Sequence, residues 1–190
     1  MANWLEKLMG RQSCMRKQRN RLERSAARIP TGRSQFEFSF GRFLLESMTA
    51  DCLVDTGAIL ALLDRNDRWH TACSAAFLHL RLPLVTSAAV LTELFHLVGD
   101  GRREMEVAWS FLQSGAIVLA TITGAELPEI HTLMSRYWDR PMDFTDATLV
   151  YLARRETITT ILTVDHSDFE TYRIEGRRRF RIVPARRLDS

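Results

Sequence analysis

The stretch Leu53-Val54-Asp55-Thr56-Gly57-Ala58-Ile59-Leu60-Ala61-Leu62-Leu63-Asp64 decides the fold. Asp51 to Asp55 predicts a short buried strand that closes on an acid, and Gly57 to Leu63 predicts the helix after it. The same alternation repeats downstream. Trp69 to Leu80 carries apolar residues at helical spacing, and Leu84-Val85-Thr86 predicts a second strand leading into a helix over Ser87 to Val98. Glu104 to Gln113 predicts a further helix, and Ala116 to Ile122, rich in β-branched residues, a third strand. Gly124 to Tyr137 reads as helical, with Pro128 tolerable in the first turn, and Pro141 breaks the chain before a helix starting at Asp143. Thr160 to Val164 predicts a fourth strand and Phe180 to Val183 a fifth at an edge. Strands alternating with helices imply an α/β fold, a short and mostly parallel sheet of four to five strands flanked by helices.

Residues 1–49 differ from this pattern. They hold ten Lys or Arg against four acids, a net +6, whereas residues 50–190 hold sixteen against nineteen, a net −3. Trp4 to Arg28 reads as a basic helix with too few apolar residues for a core face, Pro30 to Ser34 as a break, and Phe36, Phe38 and Phe40 as a short strand or docking segment. The division expected is a basic extension over residues 1–47, disordered or produced by an upstream start, and a domain over residues 48–190. A second basic cluster runs from Arg173 to Arg187. Two basic patches around an acidic centre suit a polyanion, or are simply solvated surfaces.

No apolar run is long enough to span a bilayer, and the first residues lack the apolar core of a secretory signal. Cys14, Cys52 and Cys73 are odd in number and not closely spaced, which suits a reduced, cytoplasmic protein.

The carboxylates carry the chemistry. Asp55 and Asp165 close apolar strands, the place where ligands collect in parallel sheets. Glu93 lies on the apolar face of its helix with Val90, Leu94 and Leu97, and a charge there requires a partner. Asp146 falls in the first turn of its helix with Ala147 and Val150 directed to the core, whereas Asp143 is placed to cap that helix and is a reserve contact for a second ion. Asp168 reads as a turn or cap residue. Carboxylates without His or Cys beside them select hard cations, Mg²⁺ or Mn²⁺. His96 and His166, the histidines nearest to these acids, are secondary candidates. Phosphate-cradling glycine loops and nucleophile elbows are absent from the sequence.

Four segments in order resemble the motifs of PIN-domain proteins, especially VapC-like toxins: Leu53 to Asp64, Thr86-Ser87 with Leu91 to Leu94, Met142 to Ala147, and Leu162 to Asp165 with Asp168-Phe169. The resemblance spans about residues 50–184. It implies a PIN-like three-layer sandwich and a Mg²⁺- or Mn²⁺-dependent endoribonuclease, a toxin neutralised by a small cognate antitoxin and expected as a homodimer. By motif it assigns Asp55, Glu93, Asp146 and Asp165 to the acidic catalytic and metal-binding pocket, with Thr56 and Thr163 in support. Arg65, Arg68 and Arg177 to Arg179 are candidates for holding RNA phosphates. The competing expectation is a non-catalytic PIN-fold module that binds nucleic acid or protein.

Overall fold

The structure, a computed structural model, describes residues 50–140 and 142–186. The expectations for residues 1–49, for Pro141 and for Arg187 lie outside the described residues. Within them, five strands form one sheet: β1 (Cys52–Val54), β2 (Leu84–Ser87), β3 (Ile117–Ala120), β4 (Thr160–Leu162) and β5 (Arg181–Val183). Their spatial order is β3-β2-β1-β4-β5, and every neighbouring pair is parallel.

The helices are α1 (Thr56–Leu63), α2 (His70–His79), α3 (Ala88–Val98), α4 (Arg102–Gln113), α5 (Leu127–Arg136), α6 (Phe144–Arg155) and α7 (His166–Thr171). Parallel strands need such crossovers, since no tight turn can join them. Cys52, Leu53 and Val54 point alternately to opposite sides of the sheet, yet all three are fully buried. Both faces of the centre are therefore covered, giving the layered α/β architecture that the strand–helix alternation predicts.

Most predicted elements stand within a residue or two of their expected bounds. Three differences have physical causes. The long helix expected over Gly124 to Tyr137 is split into a 3₁₀ turn (Gly124–Glu126) and α5. At the junction Thr123 and Glu126 form a capping box, which starts the turn, and Pro128 then enters the first turn of α5. Asp165 to Phe169, expected as a turn, opens the six-residue helix α7, because Asp165 Oδ1 accepts the Asp168 N–H at 3.1 Å. Leu97, expected on the buried stripe of α3, is 54% exposed; Val90 and Leu94 are the residues of that helix that are buried.

Chain order places the site. From β1 the chain moves outward through β2 to β3, then returns across the sheet to β4 on the other side of β1. The direction of winding therefore reverses between β1 and β4, which opens a crevice at their carboxyl ends. Gly57, in the first turn of α1, lets that turn approach the segment after β4: a Cβ at this position would lie 2.7 Å from Val164 Cγ2.

Candidate active site

The register of the central strands brings the first two site residues together. Cys52 pairs with Thr160, Leu53 with Ile161 and Val54 with Leu162. One step further along lie Asp55 and Thr163. The Asp55 N–H still donates to Leu162 O at 3.0 Å, and Thr163 Oγ1 donates to Asp55 Oδ2 at 2.8 Å. Asp55 Oδ1 accepts the Thr56 N–H at 2.6 Å, so both oxygens of this buried carboxylate are oriented. Asp55 is also the cap of α1, in extended conformation. The same geometry caps the helix and holds the carboxylate at the carboxyl end of β1.

Two threonines extend the arrangement. Thr163 Oγ1 accepts the Asp165 N–H at 3.0 Å while it donates to Asp55, fixing the turn that carries Asp165. Thr56 Oγ1 donates to Glu93 Oε2 at 2.7 Å, drawing the half-buried Glu93 of α3 to the start of α1. The helix α3 itself begins at Ser87, whose hydroxyl accepts the Val90 N–H at 3.3 Å and meets Thr148 Oγ1 of α6 at 2.8 Å.

The N-terminal turn of α6 supplies the remaining acids. Exposed Asp143 caps that helix, its Oδ1 accepting the Asp146 N–H at 2.7 Å, as its position predicts. Asp146 is half-buried, and the Tyr172 hydroxyl donates to its Oδ2 at 3.0 Å. Asp165 is exposed and caps α7. Asp168, read from the sequence as a turn or cap residue, lies inside α7 and is ion-paired to Arg140 at 3.0 Å.

Electrostatic repulsion couples Asp55 to Glu93 and Asp165, and Asp146 to Asp143 and Asp55. Burial pushes the Asp55 carboxyl up to about 6; the Thr163 and Thr56 hydrogen bonds oppose this, and the charges of Glu93 and Asp165 add to it. Burial raises Asp146 further, to about 8, with the charges of Asp143, Asp55 and Asp168 adding to the rise and the Tyr172 hydrogen bond opposing it. None of Asp55, Glu93, Asp143, Asp146 and Asp165 forms an ion pair among the described residues. The donors that orient them are hydroxyl and amide groups, which bring no positive charge.

That donor set suits a hard divalent cation, which binds carboxylate oxygen and would relieve the mutual repulsion. Among the described residues no group of three or more His, Cys, Asp or Glu side chains is arranged to hold a metal ion as it stands. The histidines stand aside. His166 is buried with its ring nitrogens at 2.9 Å from Pro184 O and 3.2 Å from Val164 O, stacked beside Trp69, and His96 is exposed. Both have structural or solvent-facing positions. The candidate phosphate-holding arginines Arg65, Arg68, Arg177, Arg178 and Arg179 are all exposed.

Tyr172, whose hydroxyl meets Asp146, is the residue of the candidate site that the sequence reading misses. The available signal is slight, a tyrosine in place of phenylalanine among the buried residues Phe169, Ile174 and Phe180.

The family model described as the PIN domain matches residues 52–174. Ribonuclease VapC26 of Mycobacterium tuberculosis is 33% identical over 135 residues, which cover 70% of this chain and 99% of that protein. The crystal structure of VapC20 from Mycobacterium tuberculosis, described as a Sarcin-Ricin loop cleaving toxin, superposes with a TM-score of 0.56. That likeness covers 61% of this chain and 91% of that chain at 24% identity, and it is a likeness of fold.

Proposed function

The chain belongs to the PIN-domain family, and we propose that it is a divalent-metal-dependent endoribonuclease of the VapC type, a toxin restrained by a small antitoxin. The observation that supports this reading is that Thr163 links Asp55 to the turn bearing Asp165 and Thr56 links the start of α1 to Glu93, at the carboxyl ends of β1 and β4, with none of these acids ion-paired among the described residues. The identity to a ribonuclease over nearly that protein's whole length supports the choice of RNA as substrate.

Asp55 and Asp146 would hold the metal, Mg²⁺ or Mn²⁺, with Glu93 and Asp165 completing the set and Asp143 reaching a second ion. When bound, the metal would supply an activated water and neutralise charge developing on the scissile phosphate. The protein's own part is orientation. Thr163 and the Thr56 amide hold the two oxygens of Asp55, the Thr56 hydroxyl holds Glu93, and Thr163 anchors the turn bearing Asp165. The acidic cluster repels phosphate, so RNA has to be drawn in by cations elsewhere. Exposed Arg65, Arg68 and Arg177 to Arg179, together with the +6 charge of residues 1–49, are assigned that task. On this division residues 1–47 are a basic arm and residues 48–190 the nuclease domain, acting as a homodimer in the cytoplasm. The free, buried Cys52 and Cys73 accord with a reducing compartment, and no helix among the described residues is long and apolar enough to cross a membrane.

The test is incubation of the full chain with total RNA, with and without Mg²⁺ or Mn²⁺, beside Asp55→Asn. Metal-dependent cleavage that falls by at least about 100-fold in Asp55→Asn is expected, the scale of losing a preorganised electrostatic group. Metal-independent, salt-sensitive RNA binding without turnover would point to the non-catalytic module instead.

A further inference from the structure

Tyr172 is fully buried at the end of α7, where a phenylalanine would serve packing equally well. Its ring meets Tyr137 and Phe169 edge-on, with centroids 5.1 and 5.5 Å away. The hydroxyl adds nothing to those contacts. Buried hydroxyls need a partner, and this one is directed to Asp146 Oδ2 at 3.0 Å.

The surroundings of Tyr172 are tied on both sides. Arg140 donates to Thr171 Oγ1 and to Asp168 Oδ1, each at 3.0 Å. The Arg173 N–H donates to the Tyr137 hydroxyl at 2.9 Å, and the Tyr172 N–H donates to Asp168 O at 2.9 Å. The backbone before and after Tyr172 is thus strapped to the segment between α5 and α6. The hydroxyl has little freedom to follow Asp146 if that carboxylate rotates, so Asp146 must conform to it. Among the described residues no donor reaches Asp146 Oδ1, in contrast to Asp55, where both oxygens are engaged.

We infer that Tyr172 is a positioning residue that holds Oδ2 of Asp146 and thereby fixes the orientation in which that carboxylate is offered to the divalent cation. The inference rests on the reading of Asp146 as a metal ligand. It assigns a role to a residue outside the four acidic motifs, through the kind of outer contact that orients a ligand without touching the ion.

The experiment is Mn²⁺ titration of the full chain by calorimetry, with Tyr172→Phe, Asp146→Asn and the double variant compared with the parent. In Tyr172→Phe, Mn²⁺ affinity is expected to fall by about 10-fold or more, the range for loss of such outer contacts. At saturating Mn²⁺ its KM for RNA should match the parent, and its turnover should recover as Mn²⁺ is raised. The double variant should bind Mn²⁺ no more weakly than Asp146→Asn alone, because the hydroxyl acts through that carboxylate. Unchanged Mn²⁺ affinity in Tyr172→Phe beside a weakened Asp146→Asn would overturn the positioning role alone. Unchanged affinity in Asp146→Asn would overturn the ligand assignment beneath it. A Tyr172→Phe chain that fails to fold would also overturn the inference, since the hydroxyl would then serve the core.

Discussion

Thr163 Oγ1 donates to Asp55 Oδ2 at 2.8 Å across 108 residues of chain. The same oxygen accepts the Asp165 N–H at 3.0 Å, so one buried hydroxyl sets the orientation of one acid and the position of another. Because Asp55 and Thr163 follow the last paired residues of β1 and β4, this contact is a direct consequence of strand register.

Replacing Thr163 by valine keeps the shape and removes both bonds. Stability should fall by about 1–3 kcal/mol, the cost of leaving buried polar groups unpaired. Denaturant midpoints of the valine and serine variants measure this. Thr163→Ser, which keeps the hydroxyl, should lose much less; a valine variant as stable as the parent would remove the hydroxyl's structural role.

Without divalent metal, stability should decline as pH rises. The folded-state carboxyls of Asp55 and Asp146 are raised to about 6 and about 8, above the roughly 4 of an unfolded aspartate. A raised carboxyl means that the folded state holds its proton longer than the unfolded chain does. Their contribution is therefore fully present below about pH 4 and is lost progressively up to about pH 8. Urea midpoints recorded in chelator across that window should fall, and Asp146→Asn should flatten the upper half of the curve.

Added Mn²⁺ should reverse that decline. A ligand that binds the folded state stabilises it by an amount that grows with the logarithm of its concentration, about 2.7 kcal/mol at one hundred times Kd. Thermal unfolding at pH 8 should move to higher temperature with each increment of Mn²⁺ in the parent chain. A shift of the same size in Asp55→Asn would remove Asp55 from the metal site.

Gly57 should resist any side chain. Its added Cβ would come within 2.7 Å of Val164 Cγ2, and β-branched valine has little rotamer freedom with which to withdraw. Gly57→Ala is expected to cost about 1–3 kcal/mol as an overpacking change. Adding Val164→Ala should return part of that loss in chemical denaturation, since the clash is between these two groups.

Asp55, Asp146 and Asp165 of the candidate site were legible because they lie at element boundaries. An acid that closes an apolar run, as Asp55 does after Cys52-Leu53-Val54, is visible without any structure, since burial and charge conflict locally. Asp143 as a helix cap was legible for a similar reason: capping depends on residues three positions apart. The short helix α7 was not, because its six residues carry too little periodicity to separate a helix from a turn. Leu97 was misplaced because apolar character on a helix does not guarantee a neighbour to bury it.

By itself the sequence determined the alternation of strands and helices, and it singled out four carboxylates whose oxygen donors would suit a hard cation. Those properties follow from local periodicity and from the chemistry of single side chains. The tertiary structure alone decided which oxygen of each carboxylate is held and by what: Thr163 on Asp55, Thr56 on Glu93, Tyr172 on Asp146. These partners come from other elements, so only sheet register and helix packing bring them within the 3 Å that a hydrogen bond requires.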